Sequence, residues 1–273
     1  MPQSDLLSAL STALLRRADA AVAPINWCEA DFVVTPLVAE AWNAGSSLTF
    51  VVAGASMLAS ARALRLPPAL TAAGPLTMLT GLASCFFHAT LTLAGQRADE
   101  VFENLALVAL LHGASPSSSS SSAQEVPGRA LAHGAAAAAG ILLVSAFLFT
   151  ELHLIGTAAL TGSRLAHLAQ RLPAGAARSA VGARVRLAAL AGALGAACWL
   201  ADRLFCEAVG PAQLHAWWHL LGAVCLHEAA ACAGIAHIVL VIGAPPPPAS
   251  LVPLGTVFAD ASNKAAPAGK GAE

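Results

Sequence analysis

The residues best suited to chemistry in this chain are two histidines four positions apart, His215 and His219. They lie in the stretch HAWWH at the start of a long apolar segment. On a helix, residues i and i+4 share one face, so both imidazoles can bind one metal ion. Polar side chains are costly inside a membrane-spanning helix and are often functional there. The spacing therefore predicts a metal centre within a membrane.

A second pair with the same spacing, Ser84 and His88, ends another apolar segment in the stretch SCFFHAT. His88 with His215 and His219 would supply three nitrogens. Three protein ligands and one water form the open arrangement of catalytic zinc, which lowers the pKa of that water toward about 7. For any single histidine, a hydrogen bond that packs two helices is the alternative.

Two further side chains complete a hydrolytic set. Asp99 follows His88 after a short turn and could act first as general base and then as general acid. Ser84 precedes His88 by one helical turn and could donate a hydrogen bond to a developing oxyanion. Together these residues predict hydrolysis of an amide or ester that enters from the bilayer.

A cluster of oxygen donors precedes the first long apolar segment. Its members are Asn26, Trp27 (through its carbonyl), Glu29, Asp31 and Glu40. Oxygen ligands spaced along a turn suit a hard cation such as Ca²⁺. The alternative is a solvated loop that caps a helix, and the residues alone leave both open.

Composition places the chain in a membrane. Hydrophobic residues make up 57% of it and charged residues 11%, against about 25% in a soluble domain. The mean hydropathy is +0.70. The net charge of −1 offers no basic surface for nucleic acid.

Seven apolar stretches follow one another, and each could cross about 30 Å of hydrocarbon, the third only if it extends toward the serine run. We therefore expect an all-α membrane protein, a seven-transmembrane helix bundle over residues 25–243. Residues 1–24 read as an amphipathic segment without a cleaved signal, and residues 115–128 as a low-complexity, flexible loop. Residues 244–273 read as a disordered cytosolic tail. The stretches are 37–61, 69–93, 99–114, 130–149, 151–170, 184–205 and 214–243.

Orientation follows from the distribution of positive charge. If the N-terminus lies outside or in a lumen, ten of the 14 Lys and Arg residues fall on the cytosolic side. The C-terminus is then cytosolic. This topology gathers Ser84, His88, Asp99, His215 and His219 at the outer end of the bundle. Cys28 and Cys206 flank the helices at the same end, where they are candidates for a disulfide.

Three blocks of residues resemble the alkaline ceramidase family of intramembrane hydrolases. The first is NWCEAD (26–31), continuing through VTP (34–36) to AEAWN (39–43). The second is SCFFHATL (84–91) with the pairs 95–96 and 99–100. The third is Asp202, Arg203, Cys206 and Glu207 with HAWWH (215–219). The resemblance extends from about residue 25 to residue 243.

The resemblance implies a zinc-dependent amidase that cleaves ceramide into a sphingoid base and a fatty acid. It assigns zinc to His88, His215 and His219, proton transfer to Asp99 and the oxyanion to Ser84. It also implies a regulatory or structural Ca²⁺ on Asn26, Trp27, Glu29, Asp31 and Glu40, although Asn26 and Asp31 depart from the usual Asp and Asn. A Cys28–Cys206 disulfide and residence in the endoplasmic reticulum or Golgi membrane are implied as well.

Two other classes of function compete with this interpretation. A seven-helix, zinc-containing receptor of the adiponectin or progestin receptor type would place a similar metal site in a protein that senses a ligand. A transporter or proton channel could use buried His and Asp as a relay, but the chain has no internal repeat.

Overall fold

A computed structural model describes residues 21–114, 120–144 and 147–247 of the chain. The described part is all-helical, as predicted, with seven long helices. These are α1 (Ala41–Ala63), α2 (Pro68–Thr90), α3 (Leu93–Gly113), α4 (Ser120–Val144), α5 (Phe147–Arg171), α6 (Ala176–Leu204) and α7 (Leu214–His237). A helical turn (Cys206–Val209) and a 3-10 turn (Gly210–Ala212) connect α6 to α7, and a π-helical turn (Ile238–Ile242) extends α7.

Four of these helices are long and apolar enough to cross a membrane: α1, α2, α6 and α7 with its extension. The chain is therefore a multi-pass membrane protein. The remaining long helices, α3, α4 and α5, carry more polar side chains, among them Glu103, His133 and Glu151. Seven spans and the orientation of the termini stay predictions.

Helix α4 begins earlier than the sequence suggested. Its backbone is helical from Ser120, so residues 120–128 of the predicted flexible loop belong to a helix. Ala123, Gln124 and Glu125 are good helix formers, which favours extension of α4 over the serine run. The predicted N-terminal segment and C-terminal tail lie outside the described residues, apart from residues 21–24 and 244–247.

Helices α1 and α2 pack closely because glycines face each other across their interface. A Cβ at Gly54 would lie 2.5 Å from the Gly74 carbonyl oxygen, and a Cβ at Gly74 would lie 2.8 Å from that of Gly54. A Cβ at Gly81 would lie 2.8 Å from the Ser47 carbonyl oxygen. Small residues allow this approach in membrane helices. The packing brings Ser84, one turn beyond Gly81, against α1.

The loop before α1 is joined to the turn between α2 and α3 by backbone hydrogen bonds. Leu91 ends α2 in the left-handed conformation with φ of 47°, and α3 starts two residues later. Ala23 N–H donates to the Leu91 carbonyl at 2.9 Å, and Glu40 N–H donates to the His88 carbonyl at 3.0 Å. The loop is thereby fixed beside the end of α2 that carries His88.

A buried ionic cluster ties α7 to α6 and α1. The Arg184 guanidinium (α6) donates to Glu228 Oε2 (α7) at 2.8 Å. His227 lies between two partners, with Nδ1 3.2 Å from Glu228 Oε1 and Nε2 3.1 Å from Ser56 Oγ of α1. The Glu228 side chain is 1% exposed.

A chain of three hydrogen-bonded histidines connects α3, α4 and α5. His112 Nε2 lies 3.2 Å from His133 Nδ1, and His133 Nε2 lies 3.1 Å from His153 Nε2. His153 Nδ1 lies 2.6 Å from Oδ1 of the buried Asn104. Spacing along the sequence gave these histidines no partner, because each contact joins two different helices.

Candidate metal centre

Three buried histidines meet where the ends of α2 and α7 come together. His88, His215 and His219 are 0%, 4% and 2% exposed. One ring nitrogen of each lies within 4.8 Å of the others, which is close enough for all three to hold a metal ion. Among the described residues, this is the one group of three or more His, Cys, Asp or Glu side chains that meets this condition.

The hydrogen bonds around these rings leave nitrogens available as ligands. His88 Nδ1 donates to Glu40 Oε2 at 2.5 Å, and its Nε2 is buried without a partner in the described structure. His219 Nδ1 lies 2.8 Å from Ser46 Oγ, which leaves Nε2 for the centre. His215 Nδ1 is buried and unpartnered as well. Buried polar nitrogens without partners are costly, and three neutral imidazoles fit a zinc ion.

An aromatic side chain fixes the plane of one imidazole. Trp27 stacks on His215 with ring centroids 3.7 Å apart and an interplanar angle of 21°. The Arg203 guanidinium lies 5.9 Å from the Trp27 ring. The loop before α1 thus contributes a wall of the site, a role for Trp27 that the sequence did not suggest.

Ser84 and Asp99 adjoin the histidines and contact each other. The Ser84 side chain hydrogen-bonds the Asp99 carboxyl. Ser47 Oγ, which donates to the Asn43 carbonyl at 2.7 Å, lies 3.1 Å from Ser84 Oγ. Ser84 is 2% exposed. An acid, a hydroxyl group and the imidazoles of His215 and His219 therefore line one space, and this set could hydrolyse an amide or ester.

The space itself is a cavity of about 50 Å³. Its walls include the predicted Ser84, Asp99, His215 and His219, together with Trp27. They also include Gln96, Glu103 and Glu151, to which sequence analysis gave no role at the site. Glu103 could have been found, since it follows Asp99 by four residues and shares its face of a helix.

The predicted calcium residues are neighbours, but backbone groups engage two of their carboxylates. Glu29 accepts from the N–H groups of Trp42 at 2.7 Å and Asn43 at 2.9 Å, which caps α1. Glu40 Oε1 accepts from Trp27 N–H at 3.0 Å. Asn26 Nδ2 donates to Asp31 Oδ2 at 3.3 Å.

Electrostatics at this loop disfavours ionised carboxyls. Burial raises the pKa of Glu29 and of Asp31, and the nearby Glu40 adds to both shifts. For Glu29, the hydrogen bonds from the α1 backbone act in the opposite direction. The carboxyls of Glu29, Asp31 and Glu40 therefore lie close enough to disfavour one another's ionisation beside the metal centre.

Cys28 and Cys206 form a disulfide that joins this loop to the end of α6 across a sequence separation of 178. Asp202 Oδ2 accepts from Cys28 N–H at 3.1 Å, and its carboxyl also accepts from the backbone N–H of His215. Asp202 thus holds the backbones of the disulfide loop and of α7 together, and the position of His215 depends on it.

Comparison with known proteins finds matches to one family. A model of the ceramidase family matches residues 19–241. Alkaline ceramidase 1 of Mus musculus is 37% identical over 79 residues, 28% of this chain and 29% of the relative. Alkaline ceramidase of Drosophila melanogaster is 32% identical over 80 residues, covering 29% and 28%. Alkaline ceramidase 1 of Homo sapiens is 35% identical over 79 residues, covering 28% and 30%.

These pairwise alignments span less than a third of the curated relatives' length. The family model, in contrast, takes in all seven long helices and the residues of the metal centre. The chain therefore belongs to the ceramidase family.

Proposed function

We propose that this protein is a zinc-dependent intramembrane amidase that hydrolyses ceramide to a sphingoid base and a free fatty acid. The observation that carries the proposal is the cluster of three buried imidazoles, two of which, His215 and His219, line one cavity with Ser84 and Asp99. Membership of the ceramidase family and relatives named alkaline ceramidase support ceramide as the substrate.

His88, His215 and His219 would hold the zinc. When bound, zinc would polarise the amide carbonyl and lower the pKa of a water molecule. Asp99 takes a proton from the attacking water and passes it to the leaving nitrogen. Ser84 turns its hydroxyl proton from Asp99 to the developing oxyanion. Glu40 holds the His88 ring in place through Nδ1, as carboxylates commonly do for zinc-bound histidines.

We further propose that the loop of residues 26–40 binds Ca²⁺ through Asn26, the Trp27 carbonyl, Glu29, Asp31 and Glu40. These groups supply the oxygen ligands that Ca²⁺ requires, and their carboxylates are close enough to repel one another. Glu40 also touches His88, so calcium there would steady both the loop and the zinc ligand.

The proposed topology has seven spans over residues 25–243, a lumenal N-terminus and a cytosolic C-terminus in the endoplasmic reticulum or Golgi membrane. Helix α3 supports this despite its charges, since Glu100 and Asn104 point into the bundle and are 8% and 0% exposed. The disulfide suits a lumenal end. In intact microsomes, protease should remove a C-terminal epitope tag and leave an N-terminal tag protected.

The decisive experiment compares wild type with Asp99→Asn and His215→Ala, all purified in detergent. Fatty-acid release from ceramide and bound zinc are measured on each. We expect Asp99→Asn to retain zinc and lose activity by about 10²-fold or more, and His215→Ala to lose both. Zinc in a folded wild type that leaves ceramides of several chain lengths intact would overturn the proposal and favour the zinc-containing receptor.

A further inference from the structure

The cavity has a polar wall beyond the residues assigned to hydrolysis. Glu103 lies one helical turn beyond Asp99 on α3, and Glu151 faces the same space from the start of α5. Gln96 contributes from the first turn of α3. We call Gln96, Glu103 and Glu151 the acceptor wall, because all three line the cavity and each carries a side-chain oxygen that can accept a hydrogen bond.

Gln96 gives the clearest indication that the acceptor wall binds a group that donates hydrogen bonds. Its side chain is 2% exposed, and its Nε2 donates to Glu100 Oε1 at 2.6 Å. That bond fixes the orientation of the amide, because a carboxylate oxygen can only accept from the nitrogen. The opposite atom, Gln96 Oε1, is buried and has no hydrogen-bond partner in the described part of the chain. Native structures rarely leave such an acceptor unpaired.

The charge of the wall indicates the kind of donor. The carboxyls of Asp99, Glu100 and Glu151 are the principal electrostatic neighbours of Glu103. Glu100 forms an ion pair with Arg97 at 2.5 Å, and Arg203 acts favourably on Glu151. Several carboxyls therefore lie close together around Glu103 and Asp99, and a cation with several hydrogen-bond donors would complement them and favour their ionised forms.

A metal ion does not fit the wall as it stands. Asp99, Glu103 and Glu151 do not bring three ligand oxygens within metal-binding distance of one another, whereas the histidines do so with their nitrogens. A primary ammonium is a better match, since it has three donors and one positive charge and needs no close convergence of ligands.

We propose that the acceptor wall binds the ammonium group of the long-chain amine that amide cleavage releases, an inference that rests on the proposed function. Cleavage of the C–N bond gives the water oxygen and one hydrogen to the acyl carbon and the other hydrogen to nitrogen. The new carboxylic acid then yields its proton to the amine, so that a carboxylate and an ammonium leave with no net proton change. The ammonium forms beside Asp99, where Glu103 and Glu151 pair with it and Gln96 Oε1 accepts one of its protons or a hydroxyl proton of the sphingoid base.

The test is equilibrium binding of radiolabelled sphinganine to the purified, zinc-loaded protein, with octadecane-1,3-diol as the probe that lacks nitrogen. Glu103→Gln and Glu151→Gln should each weaken sphinganine binding about tenfold and change diol binding less than twofold. Glu207→Gln removes an exposed carboxylate outside the cavity and serves as the matched control. Glu103→Gln should fold, because the amide has the same size and shape as the carboxyl group, and Glu103→Asp provides a second variant that keeps the carboxyl and shortens the reach.

Unchanged sphinganine affinity in Glu103→Gln and Glu151→Gln would overturn the inference, as would equal losses for amine and diol. Failure of the proposed function gives a different result. A protein that binds sphinganine through Glu103 but hydrolyses no ceramide keeps the amine site and loses the amidase assignment. If the protein hydrolyses ceramide but the variants of the acceptor wall bind the amine normally, the amidase assignment stands and the amine site is refuted.

Discussion

Oε2 of Glu40 and Nδ1 of His88 lie 2.5 Å apart, and both side chains are completely buried. Glu40 also accepts from Trp27 N–H and from the Asn43 amide. One carboxylate thus connects the loop before α1 with a candidate zinc ligand on α2.

Glu40→Gln should weaken zinc binding. The replacement amide presents an NH₂ group to donors that now meet carboxylate oxygens, so at least one of these contacts becomes repulsive. Loss of such a supporting carboxylate typically costs about 10–100-fold in metal affinity. Titration with a zinc chelator would measure the change. Glu207→Gln is the control, and equal affinity in the two variants would contradict the role given to Glu40.

Removal of the Cys28–Cys206 disulfide should lower the melting temperature of the protein in detergent. The bond closes a long segment of chain, and losing a native disulfide costs on the order of 2–5 kcal/mol. Zinc affinity should fall as well, since Cys28 neighbours Trp27, which stacks on His215. The double variant Cys28→Ser/Cys206→Ser is compared with Cys198→Ser, whose thiol is free. Equal melting temperatures would exclude a stabilising role for the bond.

Glu228→Gln should destabilise the bundle without loss of bound zinc. It removes the carboxylate that faces Arg184 and His227 in a buried position, and breaking a buried ion pair costs about 3–5 kcal/mol. The unfolding midpoint in denaturant would report the change. The double variant Arg184→Met/Glu228→Leu removes both charges and should recover much of the loss. If the double variant is no more stable than Glu228→Gln, the uncompensated charge of Arg184 is not the cause of the destabilisation.

Gly81→Ala should disturb the metal centre through the backbone of α2. Its Cβ would meet the Ser47 carbonyl oxygen at 2.8 Å, so α2 must move away from α1 with Ser84 and His88. Overpacking of this kind costs about 1–3 kcal/mol. Gly45→Ala on α1 is the matched control, because nothing lies within 4 Å of a Cβ there. Melting temperature and zinc content would separate the two variants, and equal values would refute the close-packing argument.

Local spacing accounts for what the sequence could predict. The i,i+4 pairs at His215 and His219 and at Ser84 and His88 place polar groups on single helix faces, and apolar stretches of sufficient length define the helices. Contacts between helices do not appear as a regular spacing of residues in the sequence. The position of Glu151 at the cavity and the stacking of Trp27 on His215 depend on how α5 and the first loop pack against the other helices. The start of α4 at Ser120 was missed because serines and a proline read as loop, although the residues between them favour helix.

When all three imidazoles are neutral, the hydrogen bonds of the histidine chain between α3, α4 and α5 allow one order of donors and acceptors. Asn104 Nδ2 donates to the Glu100 carbonyl at 2.8 Å, so the oxygen of the Asn104 amide must face His153 and accept its Nδ1–H. His153 Nε2 is then a lone pair that accepts Nε2–H of His133, and His133 Nδ1 in turn accepts Nε2–H of His112. The backbone carbonyl of Glu100 on α3 thus selects the tautomers of three imidazoles. All three N–H bonds point from His112 toward Asn104.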